Sequence, residues 1–118
     1  MVTKSGTYRQ GIIEALRLAR SAQAQKDYAK RVPIADIVAE VFECWWDLYH
    51  PKSPEFQHAF TEPERKALAA YESECARIAA VTPRLDLENF QAMPQCRQLA
   101  DAASRALVAL GDIGDDTV

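Results

Sequence analysis

The residues in this sequence with the chemistry to bind a metal or attack a substrate are Cys44, Cys75, Cys96, His50 and His58. Their spacing does not gather them. Two imidazoles share a metal on a helix when they stand four residues apart on one face. His50 and His58 are eight apart, with Pro51 and Pro54 between them. A cysteine nucleophile needs a nearby histidine or another means of lowering its thiol pKa. Cys44 precedes His50 by six residues, a spacing that puts the two on different sides of a helix. Three widely spaced cysteines, an odd number without a Cys-x-x-Cys pair, predict free thiols packed as small apolar groups. The four glycines are scattered, so no glycine-rich phosphate loop and no serine nucleophile elbow is present. The sequence therefore predicts no catalytic residue, no metal and no cofactor.

The informative spacing belongs to carboxylates. Asp36, Glu40, Glu43 and Asp47 follow one another at intervals of four, three and four. On a helix they fall within an arc of about 60°. His50 extends the line if the helix continues one turn, and Trp46 stands on its flank. Like charges at these spacings repel by a few tenths of a kcal/mol per pair, roughly. A helix shaped for stability alone would interleave lysines, and Pro33–Tyr49 contains none. Two readings follow. The arc can pair internally with Arg9, Arg17 and Arg20. Otherwise it is a docking surface for a basic partner, comprising Asp36, Glu40, Glu43, Trp46, Asp47 and His50. Tryptophan is a favoured interface anchor, and acidic surfaces speed association with basic proteins.

The element carrying this arc is the most strongly patterned in the chain. Ile34, Ile37, Val38, Val41, Phe42, Trp45, Leu48 and Tyr49 hold the i, i+3, i+4, i+7 repeat over Pro33–Tyr49, opposite the acids. Burying each such side chain contributes roughly 1.5–3 kcal/mol. A first helix is expected from Thr7 to Arg31, with Tyr8, Ile12, Ala15, Leu16, Ala19, Ala22 and Ala29 on one face. Gly11 costs about 1 kcal/mol there relative to alanine, so the first turn is expected to fray. Ser53-Pro54 caps a short helical turn reaching Phe60. Thr61-Glu62-Pro63-Glu64 reads as a capping box opening a helix to Ala80. Asp86 caps another short turn. A last helix runs from Pro94 to Leu110, closed by Gly111. Asp112–Val118 reads as a frayed acidic tail. The prediction is a single all-α domain over residues 1–118, a compact bundle of four main helices with helical turns in the connections.

Charge and composition narrow the partners. The 48% hydrophobic and 26% charged content is that of an ordinary globular chain. No apolar run approaches the roughly 18 residues of a membrane span, and the N-terminus has no secretory h-region. A cytoplasmic protein that does not enter the membrane is expected. Residues 1–31 hold seven basic and two acidic residues, a net of +5; the remainder holds seven and fifteen, a net of −8, giving the overall −3. An acidic whole without interleaved aromatic and basic residues points away from nucleic acid. A helix-turn-helix over Tyr28–Tyr49 fails because phosphate would repel its acidic second helix.

The run Trp45-Trp46-Asp47-Leu48-Tyr49-His50-Pro51, followed by Phe56, Phe60, Glu64 and Leu68 and later by Pro94, Leu99, Ala103 and Leu107, resembles small helical immunity proteins of bacterial contact-dependent growth-inhibition systems. The resemblance implies a chain that neutralises a cognate toxin by binding it, without catalytic residues or cofactor. Many such toxins are basic nuclease domains, to which an acidic face is complementary. A regulatory or adaptor interaction module is the alternative, and an enzyme of unrecognised type comes third. The oligomeric state has no signature here.

Overall fold

The computed structural model describes residues 4–33, 36–83 and 86–112. Among them are seven helices and no strand: α1 Lys4–Arg20, α2 Ala22–Arg31, α3 Ile37–Leu48, α4 Pro54–Ala59, α5 Glu62–Val81, α6 Leu87–Gln91 and α7 Pro94–Ala109. The all-α class read from the periodicity is the observed one.

The expected first helix is two helices. Ser21 leaves the helical region at φ −114°, ψ 112°, and its hydroxyl accepts a hydrogen bond from the Ala24 N–H at 3.0 Å. It thus serves as the N-cap of α2, the role serine fills better than a helix interior position. The break frees carbonyls at the end of α1, and the buried Gln25 answers them. Its Nε2 donates to the Leu18 carbonyl at 2.9 Å and the Ala19 carbonyl at 3.4 Å. Gln91 of α6 completes the joint, donating to Gln25 Oε1 at 2.9 Å and to the Ala22 carbonyl at 3.0 Å. Ala22 is consequently exposed and Ala29 half-buried, not members of a continuous apolar face. Gly11 sits within an unbroken α1, where an added Cβ would lie 3.4 Å from Leu48 of α3. That is ordinary van der Waals contact, so the packing of α1 on α3 does not require glycine here.

The second expected helix is shorter than its pattern at both ends. Pro33 lies in a turn, and Ile34 falls outside the described residues. Asp36 is the N-cap of α3, accepting from the Ala39 N–H at 3.2 Å. Tyr49 closes the helix at ψ 96°. Tyr8 fastens this end: its hydroxyl donates to the Leu48 carbonyl and accepts from the His50 N–H.

The apolar face of α3 packs into a core shared with α1, α4, α5, α6 and α7. Trp45 is fully buried. It stacks on Tyr49 with centroids 4.7 Å apart and meets Tyr71 of α5 edge-on at 4.6 Å. Phe42 meets Phe90 of α6 edge-on, and Phe56 of α4 bridges Tyr8, Tyr49 and Phe60. Such pairs contribute about 0.5–1.5 kcal/mol each beyond the area they bury.

The local end signals are observed where the sequence placed them. Thr61 and Glu64 form both halves of the capping box. Ser53 and Asp86 cap α4 and α6. Gly111 takes φ +76° after α7. Its N–H donates to the Val108 carbonyl and the Asp112 N–H to the Leu107 carbonyl, each at 3.0 Å. That pair of bonds is the Schellman arrangement. Asp112 is therefore tied down rather than frayed, and Arg17 grips its carboxylate at 2.9 and 2.5 Å. The rest of the expected acidic tail, 113–118, lies outside the described residues.

Arg9 joins four helices. It makes a bidentate pair with Glu64 at 2.8 and 2.7 Å, donates to the Ala59 and Leu110 carbonyls, and lies over the Phe60 ring. The Arg9 guanidinium, aided by the Thr61 N–H, holds the Glu64 carboxyl below its usual 4.5. A carboxyl lowered in the folded state adds stability above its unfolded pKa, and loses it as pH falls through the folded value. Glu64→Gln is expected to cost about 1–2 kcal/mol at pH 7. The difference from wild type should shrink progressively below pH 4.5 in urea titrations followed by circular dichroism.

Candidate acidic interface on α3

Because α3 is helical from Ile37 to Leu48, Glu40, Glu43 and Asp47 do share its outer face. Asp36 stands at the head of that face with its carboxylate engaged as the cap, and is exposed. Glu43 and Asp47 are exposed, and Glu40 is half-buried, with the Cys44 thiol 3.5 Å from its carboxylate. His50 does not extend the line, because the helix ends before it. Its ring folds back so that Nε2 lies 2.8 Å from the Asp47 carbonyl.

The internal pairing considered from sequence takes other partners. Arg9 pairs with Glu64 and Arg17 with Asp112, while Arg20 Nε donates to Ser104 Oγ at 3.1 Å. Among the described residues no ion pair joins Glu40, Glu43 or Asp47 to a basic side chain. Glu43 and Asp47 face solvent, and Glu40 is half-buried beside the Cys44 thiol.

Trp46 is 39% exposed. Its ring stacks on Phe42 with centroids 5.9 Å apart and planes 26° from parallel. Its indole N–H donates to Glu72 Oε1 at 3.1 Å, while the buried Trp45 N–H donates to Glu72 Oε2 at 2.7 Å. Glu72 of α5 thus pins both tryptophans, a role the sequence reading missed. The one available signal was that a buried indole N–H needs an acceptor. Nothing in local spacing says which carboxylate supplies it. Beside Trp46 a groove of about 280 Å³ opens between α3 and the end of α5, lined by Asp36, Val38, Phe42, Glu43, Ala79 and Pro83 among others.

The thiols are not activated. Burial, with the Glu40 carboxylate adding to it, pushes Cys44 up to about 11. Burial pushes Cys75 up to about 12 and raises Cys96. All three are protonated near neutral pH, the opposite of what a nucleophile requires. Glu55 and His58 make one Glu-x-x-His spacing, on the six-residue α4. A di-iron bundle needs such a pair on each of two helices. Among the described residues no group of three or more His, Cys, Asp or Glu side chains is placed to hold a metal ion. No helix among them is long and apolar enough to cross a membrane. Comparison with known protein families, with characterised proteins and with solved structures finds no match to this chain.

Proposed function

We propose that the chain is a protein-binding module, an immunity protein that neutralises a cognate bacterial toxin domain in the cytoplasm by direct contact through its acidic surface. One observation carries the reading. The outer face of α3 holds Glu40, Glu43 and Asp47 without a basic partner among the described residues, next to the half-exposed Trp46. Uncompensated like charges lower the stability of a helix, and a basic partner turns that cost into affinity and fast association. The run Trp45 to Pro51, by its resemblance to immunity proteins, supports the same reading. We group the helices as a four-part bundle, with α1 and α2 as one bent part, α3, α5 and α7 as the others, and α4 and α6 in the connections. The module acts by binding and takes no cofactor.

The test begins with the neighbouring genes. The reading expects a large toxin encoded immediately upstream, whose terminal domain the purified chain binds and inhibits. Reversal of Glu40, Glu43 and Asp47 to lysine, combined with Trp46→Ala, is expected to weaken that binding about a hundredfold or more. Far-UV circular dichroism should remain helical. Unchanged affinity with unchanged helicity would sink the reading. So would a host in which no such toxin exists.

A further inference from the structure

The groove beside Trp46 has a composition that narrows what enters it. Its walls are mostly apolar or aromatic: Val38 and Phe42 from α3, Trp46 at the rim, Ala79 of α5 and Pro83 beyond its end, with Thr82 the polar exception. The ionisable side chains among its described lining, Asp36 and Glu43, are both acidic. Glu72 of α5 is not part of the described lining but holds the indole of Trp46. Both its oxygens accept from indole N–H groups, which solvate the charge without neutralising it. The bond from its own indole N–H and the stack on Phe42 hold the Trp46 ring in place before any partner arrives.

On the reading of α3 as a partner-binding face the occupant is a side chain of that partner, and a groove of about 280 Å³ has room for one long side chain. An amphipathic cation fits both of its properties. A methylene stem covers the apolar wall and the aromatic face, and the charged head reaches the acidic rim. Arginine suits an aromatic wall beside a carboxylate better than lysine, since its planar guanidinium stacks and donates in the same pose.

We propose that this groove is the anchor site for an arginine side chain presented by a basic protein partner. The inference rests on the reading of α3 as a partner-binding face, but its test does not require the partner. The probe is N-acetyl-arginine N-methylamide, titrated at constant ionic strength into the isotopically labelled full chain. N-acetyl-norleucine N-methylamide is the uncharged comparison. Arginine is expected to give saturable shifts at the Trp46 indole N–H and at the Ala39 and Glu43 amides, and norleucine none. Glu43→Gln should weaken the midpoint about three- to fivefold. Ala39→Lys places a cation of the chain's own four residues before Glu43, removes no core side chain, and should abolish the shifts with helicity retained.

Equal shifts from norleucine would overturn the proposal. So would arginine shifts that survive Ala39→Lys undiminished, because they would report counter-ion binding along the whole acidic face. Arg84 follows Pro83 directly in sequence, and shifts that arise only in Arg84→Ala would name the chain's own arginine as the occupant and overturn it too. Failure of the toxin assay leaves these shifts in place, and failure of the shifts leaves that assay in place, so the two readings fall separately.

Discussion

Trp45→Ala is expected to cost about 3–5 kcal/mol of unfolding free energy. The side chain is fully buried and is among the largest in the core. Its removal leaves a cavity between Tyr49 and Tyr71, both of which lose a ring partner at under 5 Å. Domains of this kind are stable by about 5–15 kcal/mol in total, so the loss is a large fraction. A fall in melting temperature of roughly 10–20 °C follows. Circular dichroism is the right readout, since tryptophan fluorescence changes with the substitution itself. Trp45→Phe separates the causes. It refills most of the volume but gives up the bond to Glu72, which Trp46 continues to hold. Packing dominates if the phenylalanine variant recovers most of the lost stability. A cost under about 1 kcal/mol for the alanine variant would mean that Trp45 does not occupy the described core position.

Gln25→Leu should destabilise by about 2–3 kcal/mol although it makes the residue more hydrophobic at nearly constant size. Gln25 is only 1% exposed, and all of its bonding is internal. Leucine leaves the Leu18 and Ala19 carbonyls and the Gln91 amide short of a partner at the bend between α1 and α2. A buried polar group left unpaired costs roughly 1–3 kcal/mol, more than the gain from burying a methyl group. Gln91→Leu should cost less, because its bond to the Ala22 carbonyl is exposed to water. Urea denaturation of the two variants checks the order. Hydrogen exchange should show faster opening of α2 in Gln25→Leu than in wild type. A neutral or stabilised Gln25→Leu would contradict the role assigned to this joint.

These two variants also mark the boundary of what the sequence shows. The helical surroundings of Trp45 were legible because apolar spacing and helix geometry are both local. The same holds for the capping box at Thr61–Glu64, the caps at Ser53 and Asp86, and the stop at Gly111. Each involves atoms within about one helical turn of each other, which is the range over which a sequence pattern dictates bonding. The bend at Ser21 was not legible. The alanine-rich periodicity runs straight through it, and Gln25 looks like any surface glutamine. The Ser21 cap and the Gln25 bonds make the bend locally, and Gln91 completes it from 66 residues away.

The acidic face of α3 divides in the same manner. That Glu40, Glu43 and Asp47 share one face follows from 3.6 residues per turn and needs no tertiary information. His50 was placed on that face only by assuming one more turn, which Pro51 disfavours in the residue before it; the Tyr8 hydroxyl then binds the Leu48 carbonyl and the His50 N–H that the ended helix leaves open. Whether the acids would be neutralised was beyond any local pattern, because the competing arginines choose among partners brought close by the whole fold. Arg9 reaches Glu64 across 55 residues and Arg17 reaches Asp112 across 95. Those choices leave Glu40, Glu43 and Asp47 without a basic partner among the described residues, and Glu72 fixes Trp46 beside them. The sequence by itself determined the helical class, the caps at Ser53, Thr61 and Asp86 and the charge pattern on α3, since these depend on neighbours within one turn. Only the tertiary structure decided which charges are spent inside the fold and which face outward, since that depends on distances between residues far apart in the chain.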